Sequence, residues 1–280
     1  MNGLEIRNLS KTYDGFSLEN LNITLPSGCI MGFIGENGAG KSTTIKLILD
    51  LISRDTGEIK VLGKDLRNAG KDIKEHIGVV LDESCFPENL SQQEINKIMK
   101  NIYRTWDERK FNKYMQQFSL PLKKPIKDYS RGMKMKLSIA VALAHDSKIL
   151  LLDEATSGLD PIVRDEILDV FLEFIQDERN SIFISSHIIS DLEKICDYIT
   201  FIHKGKLVFS EPKDDLMDSY GVLKCSEEEF KAIDTTAVKG YRKHKFGVEA
   251  LVYRNKVKDS LLIEKASIED IMLFHLKEGK

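Results

Sequence analysis

Cysteine is scarce in this sequence. Its four residues, Cys29, Cys85, Cys196 and Cys225, lie far apart, with no C-x-x-C pair and no histidine at zinc spacing. That excludes a disulfide framework and a zinc knuckle, and predicts reduced thiols in a cytosolic protein. Long hydrophobic runs are missing as well. The best apolar stretches, such as Ile149 to Leu152, are strand-sized, whereas a membrane span needs about 20 apolar residues. Any membrane role must therefore be borrowed from a partner. The opening MNGLEIRNLSKTY lacks the basic-then-apolar order of a secretion signal. Without secretion, the N-x-[ST] sequons at Asn8, Asn22 and Asn89 carry no glycosylation meaning. Nor is there a surplus of positive charge: 41 basic against 44 acidic residues give a net charge of -3, no footing for nucleic acid. Internal repeats and low-complexity tracts are absent.

What is present is the pattern of a globular chain. Its 280 residues suit one large domain, or a large domain with an appendage. Residues 1–28 alternate apolar and polar, as antiparallel strands do, through Leu4, Ile6 and Leu9, then Leu21, Ile23 and Leu25. Cys29 to Ile34 reads as a short strand, followed by a glycine-rich loop and then Ile45, Ile48, Leu49 and Ile52 at helical spacing. Between about 84 and 148 the character turns helical. Ser91 and Glu94 form a capping box ahead of Ile95, Ile98, Met99 and Ile102 on one face. Phe111, Met115 and Phe118 suggest a second helix, and Leu137, Ala140, Val141 and Ala144 a third. Ile149 to Asp153 then resumes a buried parallel strand. Pro161 starts a helix with Ile167, Val170, Phe171 and Phe174 inward. Ser181 to His187 is another strand, and Tyr198 to Phe209 a hairpin turning at His203 to Lys206. The predicted division is 1–215 for the large domain, with residues 216–280 as a small α/β appendage ending in a helix over Ile268 to Leu276.

Two motifs carry chemistry. Gly35-Glu-Asn-Gly-Ala-Gly40-Lys41-Ser42 fits the eight-residue phosphate loop in full, with a strand before it and a helix after it. Glycines such as Gly35, Gly38 and Gly40 let backbone amides turn toward phosphate oxygens, and the helix that follows adds its positive end. Asn37 and Thr43 belong to the same binding loop. Lys41 reaches the β- and γ-phosphates, and the Ser42 hydroxyl suits magnesium. The other possibility is a chance glycine-rich turn. The second motif is Ile149-Leu-Leu-Leu-Asp153-Glu154: a buried strand delivers Asp153 to the metal shell, and Glu154 is placed to orient or deprotonate the attacking water. An apolar strand ending in Asp-Glu is weak evidence alone; paired with the upstream loop it is strong.

Three further segments narrow the class. Tyr129-Ser130-Arg131-Gly132-Met133-Lys134 precedes the Asp-Glu strand by a helix, Ser157-Gly-Leu-Asp160-Pro161 follows it, and His187 ends the next strand. In this order the five motifs resemble the ATP-binding cassette family over residues 1–215. The resemblance implies an α/β fold: a P-loop NTPase core with a mixed sheet, an N-terminal antiparallel β-subdomain and an inserted helical subdomain. It implies an ATPase that uses ATP and Mg2+. By the same resemblance, Ser130 and Gly132 close over the γ-phosphate held by a partner cassette, Asp160 connects the two sites, His187 contacts the γ-phosphate, and Tyr13 stacks on adenine. The implied partners are a second cassette chain, as homodimer or heterodimer, and integral membrane permease subunits that would hold the chain at the inner face of the cell membrane. Exporters of antimicrobial peptides or drugs with a separate permease chain are the kind suggested by Arg131 and the C-terminal appendage. The alternative is a soluble cassette ATPase of DNA repair or translation. Against it stand the missing heptad run between the nucleotide motifs and the single cassette per chain.

Two positions depart from the family pattern. Arg131 stands where glycine is usual. In the loop after Ile77-Gly78, Asp82 takes the place of the usual glutamine, or Glu83 does if the register shifts by one. A carboxylate there still suits magnesium but repels a γ-phosphate when no metal intervenes. The remaining histidines (His76, His145, His203, His244 and His275) are expected at the surface, and Glu227 to Glu229 on a solvated helix face.

Overall fold

The computed structural model describes residues 2–69, 72–82, 86–257 and 261–276. The chain divides into two compact units, Met1–Phe209 and Ser210–Lys280.

The first unit is organised on a nine-stranded sheet of order β4-β1-β2-β9-β8-β3-β7-β6-β5. Its strands are β1 (Asn2–Tyr13), β2 (Phe16–Pro26), β3 (Ile30–Ile34), β4 (Thr56–Val61), β5 (Ile77–Val80), β6 (Ile149–Asp153), β7 (Ser181–Ser185), β8 (Tyr198–His203) and β9 (Lys206–Pro212). β1 pairs antiparallel with β2 and β4, with Leu4, Ile6 and Leu9 inward, as the alternation predicts. The β3, β5, β6, β7 and β8 ladders are parallel. Every residue of β3, β6 and β7 is buried, which is why the middle of each strand reads as apolar. The helices are α1 (Lys41–Ile48), α2 (Leu66–Ala69), α3 (Gln92–Ile102), α4 (Glu108–Gln117), α5 (Arg131–Leu143), α6 (Pro161–Phe174) and α7 (Ile189–Ile195).

Local chemistry sets these boundaries. α3 starts at a complete capping box between Ser91 and Glu94, and Asp160 caps α6 by accepting from the Val163 amide ahead of Pro161. β7 stops at Ser185, short of His187, because the Ser186 hydroxyl accepts from the Ile188 amide at 3.0 Å and offers the backbone a turn in place of the ladder. α1 closes at Leu49, so Ile52 reaches the core from a loop. On α3 only Ile95 of the expected apolar face is buried, and Ile98 and Ile102 stay exposed. His145, expected at the surface, is buried. Its Nδ1 donates to the Glu75 carbonyl at 2.8 Å, and its ring stacks on Tyr103 at 4.0 Å. Burial holds its pKa below the usual histidine value, so it packs as a neutral ring. Cys85 and Glu83 lie outside the described residues.

The core joins both halves of the large sheet: Phe33 meets Phe183 at 5.2 Å between ring centroids, with Leu4, Ile45 and Leu151 in the same cluster. Leu151 is fully buried on β6, directly behind the Asp153–Glu154 end. Leu151→Ala should cost about 2–5 kcal/mol of stability, read as a lowered denaturation midpoint at unchanged slope; a midpoint equal to wild type would mean that this strand is not the core's centre.

The second unit has a four-stranded antiparallel sheet, β11-β12-β10-β13, formed by β10 (Tyr220–Cys225), β11 (Val238–His244), β12 (Gly247–Tyr253) and β13 (Ile263–Lys265). It carries α8 (Lys213–Ser219), α9 (Glu227–Lys231) and α10 (Ile268–His275). Leu223, Ala250 and Val252 centre its own core. Leu216 is buried within α8, and the second compact unit begins at Ser210, a few residues before the expected boundary at 216. The acidic run over Glu227 to Glu229 forms the exposed first turn of α9, with Glu229 completing a capping box with Ser226. Among the described residues no helix is long and apolar enough to cross a membrane.

Candidate functional site

The carboxyl ends of β3, β6 and β7 open into one cleft of about 600 Å³, lined among others by Gly38, Gly40, Lys41, Ser42, Glu154 and His187. In parallel sheets this edge is where helix N-termini and strand-end side chains converge. Gly40 caps α1 with φ of 112°, a conformation that side chains rarely adopt, and a Cβ there would stand 2.4 Å from Leu18 Cδ2. Any side chain at this position would be strained in the backbone and crowded against Leu18 and Phe16.

Lys41, the first residue of α1, is almost fully buried. Its ammonium donates to the Gly35 carbonyl at 2.7 Å and lies 3.7 Å from Glu154 Oε1. Glu154 follows β6 directly and has a left-handed φ of 53°. Such a backbone is costly for a non-glycine residue. It is held because the Glu154 amide meets both Ser185 Oγ at 3.2 Å and the Ser185 carbonyl at 3.1 Å. The turn swings the carboxylate across the mouth of the cleft, where its Oε2 accepts from His187 Nδ1 at 2.6 Å. Asp153 is buried one residue earlier and accepts from Ser185 Oγ at 2.5 Å. Ser185 thus orients both acids. Strand-end position was its one signal in the sequence, too common a feature to single it out.

Of the residues singled out in the sequence, Asn37, Gly38, Gly40, Lys41, Ser42, Thr43, Asp82, Glu154 and His187 line this cleft, joined by Glu36, Phe16 and Ser157. Gly35 stands at the start of the same loop, its position fixed by a Cβ that would come within 2.6 Å of the Ile202 carbonyl. Tyr13 is not part of the lining. It is 43% exposed under the Lys11 ammonium, and the aromatic ring in the cleft is Phe16, its register partner across the turn. Ser130, Gly132 and Asp160 line a separate depression of about 370 Å³ together with Arg131 and Gly158. The Ser130 hydroxyl caps α5 by accepting from the Met133 amide.

The donor set suits a nucleotide triphosphate with magnesium. A glycine-rich loop at the start of a helix and one buried ammonium suit phosphate oxygens. Among the described residues no group of three or more His, Cys, Asp or Glu side chains forms a metal cage. Magnesium is commonly held by one or two carboxylates together with substrate phosphates. Ser42 and Asp82 line the cleft as oxygen donors that such an ion would find here, and Asp153 lies buried next to Glu154 at the end of β6.

Known proteins resemble most of this chain. The bacitracin transport ATP-binding protein BcrA of Bacillus licheniformis is 36% identical over 216 residues, 76% of this chain and 71% of its own length. The lantibiotic transport ATP-binding protein SrtF of Streptococcus pyogenes is 36% identical over 214 residues, 75% of this chain and 91% of its own. Among solved structures, the ATP-binding subunit of an ABC transporter superposes with a TM-score of 0.68 at 26% identity, covering 76% of this chain and 91% of that one. A dimeric ATP-binding cassette in a post-hydrolysis state, bound to ADP and phosphate, shares the fold with a TM-score of 0.67 at 21% identity, over 75% of this chain and 98% of its own. The family profile described as ABC transporter matches residues 18–157, which hold both the phosphate loop and the Asp153–Glu154 strand end, and the chain belongs to that family as one of its ATP-hydrolysing subunits.

Proposed function

We propose that two copies of this cassette, or one copy and a related chain, close head to tail on ATP and drive export through separate membrane permease subunits. The observation that carries this reading is the separation of the site into two parts. Lys41, Ser42, Glu154 and His187 line one cleft, whereas Ser130, Gly132 and Asp160 line another depression of the same chain. One chain presents the two halves as separate pockets, so a second copy completes each.

Within the first cleft, Lys41 and the loop amides bind and orient the phosphates, Ser42 and Asp153 supply oxygens to magnesium, and Ser185 keeps Asp153 aimed. When bound, the magnesium neutralises phosphate charge. Glu154 takes a proton from water, and His187, hydrogen-bonded to it, holds that carboxylate in place. Phe16, the ring that lines the cleft at the hairpin end, offers the aromatic surface for adenine, with Tyr13 beside it across the turn. Peptide antibiotics of the bacitracin and lantibiotic kind are the proposed cargo, supported by the names of the relatives. The exposed Ile98 and Ile102 on α3 suit a covering partner. Through the permease the cassette would sit on the inner face of the membrane.

The test is the dependence of turnover on protein concentration. Specific activity should rise with concentration as dimers form. Ser130→Arg should abolish it while leaving the affinity of the dilute chain for ATP unchanged, because Ser130 acts on the opposite chain's nucleotide. Full turnover that is independent of concentration would sink the two-chain site.

A further inference from the structure

The two departures from the family pattern meet. Arg131 Nη2 donates to Asp82 Oδ1 at 2.7 Å, joining the first residue of α5 to the loop after β5. Asp82 lines the first cleft, beside Lys41 and Glu154, and Arg131 lines the second depression, beside Ser130 and Gly132. Arg131 also lies flat against Gly158, where a Cβ would stand 2.8 Å from Nη1. The left-handed φ of 67° at Gly158 leaves the backbone bare enough for a guanidinium to rest on it. One side chain thus touches the loop after β5 and the loop after β6 while its own residue opens α5.

Charge gives the contact its meaning. An unpaired carboxylate at Asp82 would repel a triphosphate entering the cleft, and in this structure Arg131 neutralises it. Magnesium, a hard cation that prefers carboxylate oxygen, competes for the same atom. Both side chains are half exposed, so the pair is screened by water and opens easily. A buried pair would resist such an exchange.

Resting on the nucleotide reading of the cleft, we infer that Asp82 and Arg131 form a metal-sensitive latch. Arg131 neutralises Asp82 in the metal-free chain. When metal–nucleotide binds, Asp82 exchanges the guanidinium for the metal, and Arg131 is released beside Ser130 and Gly132, where it adds a positive charge to the surface offered to the second copy's phosphates. Arg131 is in this sense a positioning residue: it acts on the cleft through Asp82.

The experiment is a double-mutant cycle on binding, read without turnover. Calorimetry with the non-hydrolysable analogue adenylyl imidodiphosphate, once with Mg2+ and once with EDTA, gives for each protein a ratio of affinities. Arg131→Gln should raise that ratio about two- to fivefold, as suits the loss of an exposed ion pair, by weakening the metal-free complex. Asp82→Asn should lower it. Arg131→Gln made in the D82N background should then shift it no further. A contact that merely braces the fold would weaken both complexes equally. That result overturns the inference, and so does the same shift in both backgrounds. If Arg131→Gln does not fold, Asp82→Asn decides alone, and an unchanged ratio overturns the latch. Failure of the wild-type chain to bind the analogue overturns the cleft reading itself and the inference with it.

Discussion

Glu154→Gln should bind ATP as the wild type does and turn it over about 10²- to 10⁴-fold more slowly, the range a positioned general base supplies. The substitution keeps the shape of the side chain and an oxygen able to accept from His187 Nδ1, so the 2.6 Å contact can survive. Lys41 and Ser42, the groups proposed to hold the phosphates and the metal, are untouched. What disappears is the capacity to take a proton, together with the negative charge 3.7 Å from the Lys41 ammonium. The loss should therefore fall on kcat with KM little changed. If closure of two chains precedes hydrolysis, the variant should also collect as an ATP-bound dimer, visible as an earlier peak on a sizing column when ATP is present. Turnover at the wild-type rate would remove Glu154 from the chemistry and leave its strained turn without a functional reason.

That turn marks where the sequence was legible and where it was not. The phosphate loop was readable because its requirements are local: a strand, glycines at fixed spacing, a lysine and a hydroxyl at a helix start. The Asp153–Glu154 end was readable because β6 is buried on both faces and therefore apolar up to its final Asp153. Ser185 was not. It joins the site through a parallel ladder that sets β6 beside β7, Asp153 opposite Ser185, and nothing in either strand announces that register. The Asp82–Arg131 pair was hidden for the same reason, since 49 residues separate partners whose meeting depends on tertiary packing. Each had been noticed as a departure, but only their contact shows that the two charges answer each other.

Side chains near the ends of elements were the other weak point. Tyr13 and Phe16 flank a two-residue turn, and pattern alone does not say which ring faces the cleft. His145 follows α5 as a polar residue near a helix end, a place that reads as surface. Its burial comes from the Glu75 carbonyl and the Tyr103 ring, both distant in sequence. The apolar stripe of α3 misled in the opposite direction. Helical spacing gives the direction in which a side chain points, but not whether another element arrives to cover it, and Ile98 and Ile102 remain bare.

Lys41→Ala should have the largest effect on binding. The ammonium is buried and is proposed to meet two phosphates; charge-assisted hydrogen bonds of this kind contribute about 1.5–3 kcal/mol each. Losing two of them weakens ATP binding by about 10²- to 10⁴-fold. The same substitution also disturbs the chain without nucleotide. The Gly35 and Glu36 carbonyls lose their donor at 2.7 and 3.4 Å, and Glu154 loses the cation beside it. Buried groups left without partners cost about 1–3 kcal/mol, so a lowered thermal midpoint is expected as well. The two effects can be separated. Calorimetric titration at a temperature where circular dichroism shows the variant fully folded measures binding alone. A folded variant that retains wild-type ATP affinity would show that Lys41 holds the loop together and does not hold the ligand, and the phosphate-loop assignment would fall.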